Sequence, residues 1–252
     1  MTKEMINFTN RKLRTPRAAA LAGIAFAFLL IVSLVLIRIS VPERLDDSGE
    51  WLVDNARKIT FAISLIPFAG IAFLWFLGVI RDRLGDFEDR FFSTVFFGSG
   101  LLFIAMTFIS GAITASLLSI YAVDSSILLQ TPTYAFNRVL VFQITNVYGL
   151  RMAGVFMMSL GTIWIRTKIM PRMLVFLTYG LALMLLLGIN ISLWLALVFP
   201  GWVLVISVEI LILNFLKNND LITAEMNEKT SPGERTLIEY QNFDDNDNFS
   251  KE

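Results

Sequence analysis

Residues 75–100, WFLGVIRDRLGDFEDRFFSTVFFGSG, set a dense group of charges between two apolar runs. Arg81, Asp82, Arg83, Asp86, Glu88, Asp89 and Arg90 all ionise, and the hydrocarbon of a bilayer rejects such a group. A hairpin whose turn lies at the membrane surface while both flanks cross it resolves the conflict. This stretch therefore predicts an integral membrane protein. Within the turn, opposite charges lie adjacent and at i,i+3 and i,i+4 spacing, close enough to neutralise one another. A self-neutralised turn at headgroup level is one reading, and a cytoplasmic interaction surface is the other. It does not read as a phosphate site, because four acids match the three arginines and no glycine-rich nest accompanies them.

Composition supports the same fold class: of 252 residues 56% are hydrophobic, 22 are Phe, 17% are charged, and the mean hydropathy is +0.67. An all-α, polytopic membrane bundle accounts for these values better than a soluble domain. Cysteine and histidine are absent. That removes disulfides, thiolate nucleophiles, His-ligated haem and an imidazole general base from the chain's own chemistry. No cofactor and no metal site is expected, and an intramembrane enzyme has little to work with, since neither paired intramembrane carboxylates nor an HExxH segment is present.

Ahead of the hairpin, residues 1–17 form a basic cytoplasmic segment. Lys3, Arg11, Lys12, Arg14 and Arg17 stand against Glu4 for a local +4. Thr15 and Pro16 read as the start of a helix over 18–37. A basic start before an apolar run also fits a signal peptide, but the run is long and no small-residue cleavage site precedes Arg38, so a retained helix is favoured. Pro42 interrupts it, Asp47 and Glu50 suit an N-cap, and a second span continues from Ile59 to Ile80 with Pro67 inside.

Beyond the hairpin, 91–119 reads as a third span. Thr107, Ser110 and Thr114 share one face, either lining a narrow polar path or bonding to their own backbone. Residues 133–147 are ambiguous between an interfacial, a re-entrant and a continuous helix, and a fourth span covers about 144–165. The last two spans can be cut at Gly188–Ser192 or at Pro200–Gly201. The second is favoured, because Pro-Gly is a strong turn signal.

Either cut gives six spans over 18–217, followed by an acidic cytoplasmic tail, 218–252. Its Asp244, Asp245 and Asp247 lack the glycine and terminal glutamate of a calcium loop. Lys and Arg density at the N-terminus, 81–90 and 166–172 predicts both termini in the cytoplasm. Residues 38–58 fit this poorly, since four basic residues would lie outside.

Two charges stand inside the expected spans, Arg151 and Glu209. With the turn at Pro200–Gly201 they have similar depth, which predicts an ion pair completed by Tyr148 or a nearby Ser or Asn. Gly154 and Gly161 continue the Arg151 face and would admit a close neighbouring helix. Asn190 is a further intramembrane polar candidate if 173–199 is one helix.

The block WFLGVIRDRLGDFEDRFFSTVFFGSGLLF, with LIPFAGIAF ahead of it, resembles a group of uncharacterised bacterial integral membrane proteins over residues 65–105. The resemblance implies a bacterial inner membrane and adds no catalytic residue. The expected partners are membrane lipids and either further copies of the chain or another membrane protein. Nucleic acid is not expected, because the only concentrated positive charge is the short N-terminus. Two functions compete: an accessory or scaffold subunit of a membrane complex, which is favoured, and a small channel or transporter.

Overall fold

The structure, a computed structural model, describes residues 3–42, 51–84, 90–123, 132–168, 170–188 and 193–229. Side chains are described at these positions apart from 3–17, 53, 83, 84, 90, 193, 214 and 216–229. Every element among the described residues is helical. In order they are α1 (Lys3–Ser40), α2 (Trp51–Leu84), α3 (Arg90–Val123), α4 (Pro132–Phe142), a π-helical stretch (Gln143–Gly149), α5 (Leu150–Thr167), α6 (Arg172–Leu187), a 3-10 turn (Leu193–Leu197) and α7 (Val198–Lys229). Two units result, Met1–Val208 and Glu209–Glu252. Within the described residues the second unit is the continuation of α7 from Glu209 to Lys229; the three tail aspartates lie outside them.

Five stretches are long and apolar enough to cross a membrane: Ala18–Ser40, Asp54–Asp82, Phe91–Val123, Pro132–Thr167 and Trp194–Leu213. α6 has 16 residues, short of the roughly 20 that span the hydrocarbon without tilt or thinning. The fold is thus an all-helical membrane bundle with five unambiguous crossing lengths and one shorter apolar helix.

Four boundaries differ from expectation. α1 begins at Lys3, so Pro16 lies inside it; a proline removes one rung of the hydrogen-bond ladder, and the rungs on either side continue the helix. Residues 132–167 form one helical run rather than a span over 144–165 alone, which is the continuous one of the three readings of 133–147, with a π-helical stretch at 143–149. The third difference is the cut between the last spans. α6 stops at Leu187, where Gly188 donates its N–H to Met184 O at 2.8 Å, and α7 runs through Pro200 and Gly201. Pro200 sits in the first turn of α7, where helical N–H groups have no partner within the α-helix itself, so its missing N–H carries little cost. The favoured Pro200–Gly201 turn is therefore corrected to the Gly188 break. The fourth is the length of the apolar helices, as α2 and α3 extend one or more turns beyond the expected apolar cores.

The new position of Pro200 makes a prediction. Pro200→Ala and Gly201→Ala are each expected to leave thermal stability within about 1 kcal/mol of the parent, because nothing stands within 4 Å of a Cβ at Gly201 and first-turn positions tolerate most residues. Turn residues would respond with losses well above that, so a melting curve of each variant in detergent separates the two placements.

The first unit is organised around aromatic rings. Phe73 of α2 meets Phe26 of α1 at 4.7 Å, Phe103 of α3 at 5.8 Å, Phe156 of α5 at 5.7 Å and Phe199 of α7 at 5.9 Å between centroids. Five helices are joined through one side chain. In lipid the hydrophobic effect does not drive helices together, so close ring packing and small-residue contacts must supply the attraction. Polar bonds add to it: Ser33 Oγ donates to Ala62 O at 2.7 Å between α1 and α2, and Trp202 Nε1 donates to Thr178 Oγ1 at 2.9 Å between α7 and α6. Gly23 lets α1 meet α7, since a Cβ there would run into Ser207 Oγ and come within 2.8 Å of the Phe76 ring.

Candidate functional site

α1, α2, α3 and α4 all have one end on the same side of the first unit: the C-terminal ends of α1 and α3 and the N-terminal ends of α2 and α4. The aromatic residues there pack first. Leu52, Leu117 and Tyr134 form a small buried core, with Trp51, Leu118 and Tyr121 against it. Trp51 Nε1 donates to Tyr134 Oη at 3.0 Å, tying the start of α2 to the start of α4.

Arg138 is the charged residue of this cluster. It is 8% exposed, and Asn137 and Arg138 interrupt an otherwise apolar turn of α4. One end of its guanidinium donates from Nη2 to Pro42 O at 2.8 Å, and Nη1 reaches Tyr134 Oη at 3.3 Å. Its Cζ also lies 5.4 Å from the Trp51 ring centroid. The carbonyl and the aromatic faces supply acceptors and a π cloud to a cation held out of water. Because α1 ends at Ser40 just before Pro42, the Pro42 carbonyl is directed away from the helical ladder and can receive this bond. Arg38, one turn earlier on α1, lies over the Trp194 ring at 5.7 Å from the 3-10 turn.

Below these groups is a cavity of about 220 Å³. Arg38, Pro42, Trp51, Asn137, Arg138 and Trp194 line one end of it. Deeper, its wall is aliphatic, with Leu30, Leu34, Ile63, Ile66 and Met106, and it reaches Phe103 of the aromatic cluster. One strip of the wall is polar: Thr107, Ser110 and Thr114 of α3 face Thr145 and Asn146 of the π-helical stretch. Thr107 and Thr114 donate to carbonyls of their own helix, Phe103 O and Ser110 O, both at 2.9 Å. Ser110 Oγ bonds instead to Thr145 Oγ1 at 2.8 Å. Two of the three hydroxyls, those of Thr107 and Thr114, thus bond to their own backbone, and all three residues line the cavity.

The π-helical stretch gives that face its shape. Leu150 donates its N–H to Thr145 O, five residues back. The extra residue per turn widens the helix and turns Thr145 and Asn146 towards the cavity. Asn146 Nδ2 bonds back to Phe142 O at 3.2 Å. Gly149 allows the crowded backbone, since a Cβ there would come 3.2 Å from Ile144 O.

The Arg138 cluster yields a stability prediction. Arg138→Met retains the length of the stem but removes the guanidinium bonds to Pro42 and Tyr134 and the contact with Trp51. The expected loss is about 2–4 kcal/mol, taking roughly 1.5–3 kcal/mol for hydrogen bonds to a charged group with a cation–π contribution. Thermal unfolding of the variant measures it, and an unchanged midpoint would show that the cluster does not hold this end together.

Arg151 and Tyr148, singled out from the sequence, do not line the cavity. Arg151 is half-buried on α5 and its Nη1 donates to Val147 O at 3.3 Å, within its own helical run. Tyr148, in the π-helical stretch, is 57% exposed. Glu209 opens the second unit, four positions before the end of its apolar span at Leu213. Arg151 belongs to the first unit and Glu209 to the second. Gly154 and Gly161 do admit a close helix, and that helix is α6. Asn190 lies outside the described residues.

Of the charged turn, Gly85–Asp89 lies outside the described residues, and the side chains of Arg83 and Arg90 are not described. Arg81 and Asp82 are exposed. Arg81 stacks over the Phe97 ring at 4.4 Å, and Arg166 of α5 lies over the Phe92 ring at 4.8 Å. These contacts fasten the near ends of α2 and α5 to the start of α3.

Arg38, Arg138, Trp51 and Trp194 are not among the candidate site residues read from the sequence. A signal was present: once 132–167 is read as one helix, Arg138 becomes a charge near the end of a crossing segment. Comparison of the chain with protein-family models, curated proteins and solved structures finds no match.

Proposed function

We propose that the chain is an accessory or scaffold subunit of a bacterial membrane protein complex, placed in the inner membrane with both termini cytoplasmic. In this reading α6 is the sixth span, its 16 residues accommodated by local thinning of the bilayer or by flanking Arg172 reaching to the interface. The observation that carries the reading is the filled centre of the first unit. Phe26, Phe73, Phe103, Phe156 and Phe199 from five helices meet there, and four of these rings are completely buried. A permeation route would need polar groups or water along the axis, whereas this centre is a block of rings. The charged 81–90 turn is the surface offered to a partner on the cytoplasmic side.

A small transporter is the second reading, favoured by the hydroxyl-lined cavity beneath Arg38 and Arg138. Native mass spectrometry of the tagged protein, released from its own membrane with its lipids, distinguishes the two. Stoichiometric recovery of a different membrane protein is the expected result. A homogeneous assembly of this chain alone would contradict the accessory role and turn attention to flux measurements.

A further inference from the structure

We infer that the cavity of the first unit takes an uncharged lipid alcohol, its hydroxyl held at the polar strip between α3 and the π-helical stretch and its chain along the aliphatic walls. The inference goes beyond the accessory role and does not depend on it. Arg38, Arg138, Trp51 and Trp194 at the mouth are engaged with partners of their own and take no part in holding this ligand.

Ser110 Oγ and Thr145 Oγ1 share one hydrogen bond, and neither has another partner among the described residues. Two hydroxyls carry two hydrogens, so one is left to donate. Asn146 uses Nδ2 on Phe142 O, and its Oδ1 accepts from no donor among the described residues. Thr145 and Asn146 are consecutive and both line the cavity, which sets a spare donor and a spare acceptor side by side. Such groups cost free energy when they are held away from water without partners. An alcohol answers both, since its oxygen accepts and its hydrogen donates. A carbonyl would meet the donor alone, and a plain hydrocarbon neither.

Depth sets the charge of the ligand. Ser110 and Thr145 lie inside the spans Phe91–Val123 and Pro132–Thr167, each about 20 Å from the nearer end at 1.5 Å per residue. An ionised head group stays at the interface rather than enter the hydrocarbon to that depth, whereas a hydroxyl with two hydrogen bonds waiting for it does not have to. Water suits the strip but not the rest of the cavity. At about 30 Å³ each, about seven waters would occupy it, given its volume of about 220 Å³. Each would need about two to four polar partners, and the side chains of Leu30, Leu34, Ile63 and Ile66 on the walls from α1 and α2 present none. A hydrocarbon chain loses nothing by leaving the bilayer for those walls.

The test uses the full-length protein in phosphatidylcholine liposomes and a 1-dodecanol probe carrying a diazirine in its chain, with adducts mapped by peptide mass spectrometry. The expected result is a saturable set of adducts on the cavity-lining positions of α1, α2 and α3. Unlabelled 1-dodecanol should compete about fivefold more strongly than dodecane at equal mole fraction in the bilayer, the difference that hydrogen bonding at the strip supplies. Asn146→Leu removes the acceptor and breaks only a bond within its own helical run, while Ser110→Ala removes one of the two hydroxyls. Whichever variant retains the parent melting temperature should narrow the gap between the two competitors, and the parent protein decides the matter where neither does. Equal competition by dodecane would overturn the inference. So would adducts that resist competition or that fall on the exposed rings of Phe28, Phe61, Phe68 and Trp75 instead, and so would a gap that persists unchanged in a variant of parent stability.

Discussion

Gly154→Leu is expected to abolish recovery of folded, monodisperse protein. A Cβ at Gly154 would stand 2.9 Å from Leu186 Cγ and 3.0 Å from Ala182 O. The first atom belongs to a side chain that can turn away, whereas the second is backbone and can yield only if α6 moves off α5. A single methyl already overpacks such a contact, at about 1–3 kcal/mol. The isobutyl group of leucine requires separation of the helices, which also breaks the Thr162–Tyr179 hydroxyl bond, 2.7 Å long, between them. Gly180→Leu is the control, because nothing lies within 4 Å of a Cβ at that position of α6. Size-exclusion profiles of the two variants should differ completely. Similar profiles would mean that α5 and α6 do not pack through Gly154.

Phe73→Ala is expected to give the largest loss among single ring truncations. Its ring is fully buried and meets rings on α1, α3, α5 and α7 as well as Phe76 of its own helix. Phenylalanine truncation in water-soluble cores costs about 3–5 kcal/mol. In a bilayer the part due to transfer from water is missing, since the unfolded reference keeps the side chain in lipid. The remaining cost is lost van der Waals contact and ring pairing, at about 0.5–1.5 kcal/mol per aromatic pair. A loss of about 2–4 kcal/mol follows, with the cavity term limited by how far five helices can collapse. Phe68→Ala, on a ring 63% exposed, should stay within about 0.5 kcal/mol. Thermal unfolding in one detergent compares the two directly.

Much of the architecture was legible because lipid imposes simple constraints. The charge density of 81–90 marks the break between two helices: α2 ends at Leu84 and α3 begins at Arg90, with Gly85–Asp89 outside the described residues. The Thr107, Ser110 and Thr114 face was visible as a three-residue pattern and does line the cavity. Pro200–Gly201 was misread because the same dipeptide chemistry that makes a turn is also compatible with a first helical turn; the deciding factor is tertiary. Phe199 and Trp202 both face the aromatic block, stacked at 6.0 Å, and Val203 and Ile206 continue the same buried face along α7. Gly188 gave a weaker local signal, yet it is where α6 ends.

The cavity itself could not be read in advance. Arg138 meets Pro42 O across 96 positions of sequence, and Arg38 meets Trp194 across a still longer interval. Neither contact leaves a local pattern. The same is true of the π-helical stretch, whose polar residues leave 133–147 open between interfacial, re-entrant and continuous until Leu150 is seen to bond five residues back. Arg151 drew attention as an intramembrane charge, but a guanidinium on a widened helical run can bond a carbonyl of that run without a carboxylate partner.

The account turns on an even number of crossings, with α6 as the sixth. The chain contains no cysteine, so single substitutions report without background. Thr2→Cys, Ser48→Cys and Ser250→Cys, each labelled in intact cells with a membrane-impermeant maleimide, test the arrangement most directly. Labelling of Ser48→Cys alone, with the other two variants reacting only after the membrane is opened, is the predicted result. Labelling of Ser250→Cys from outside while Thr2→Cys stays protected would mean five crossings, and would contradict both the sixth span and the cytoplasmic tail.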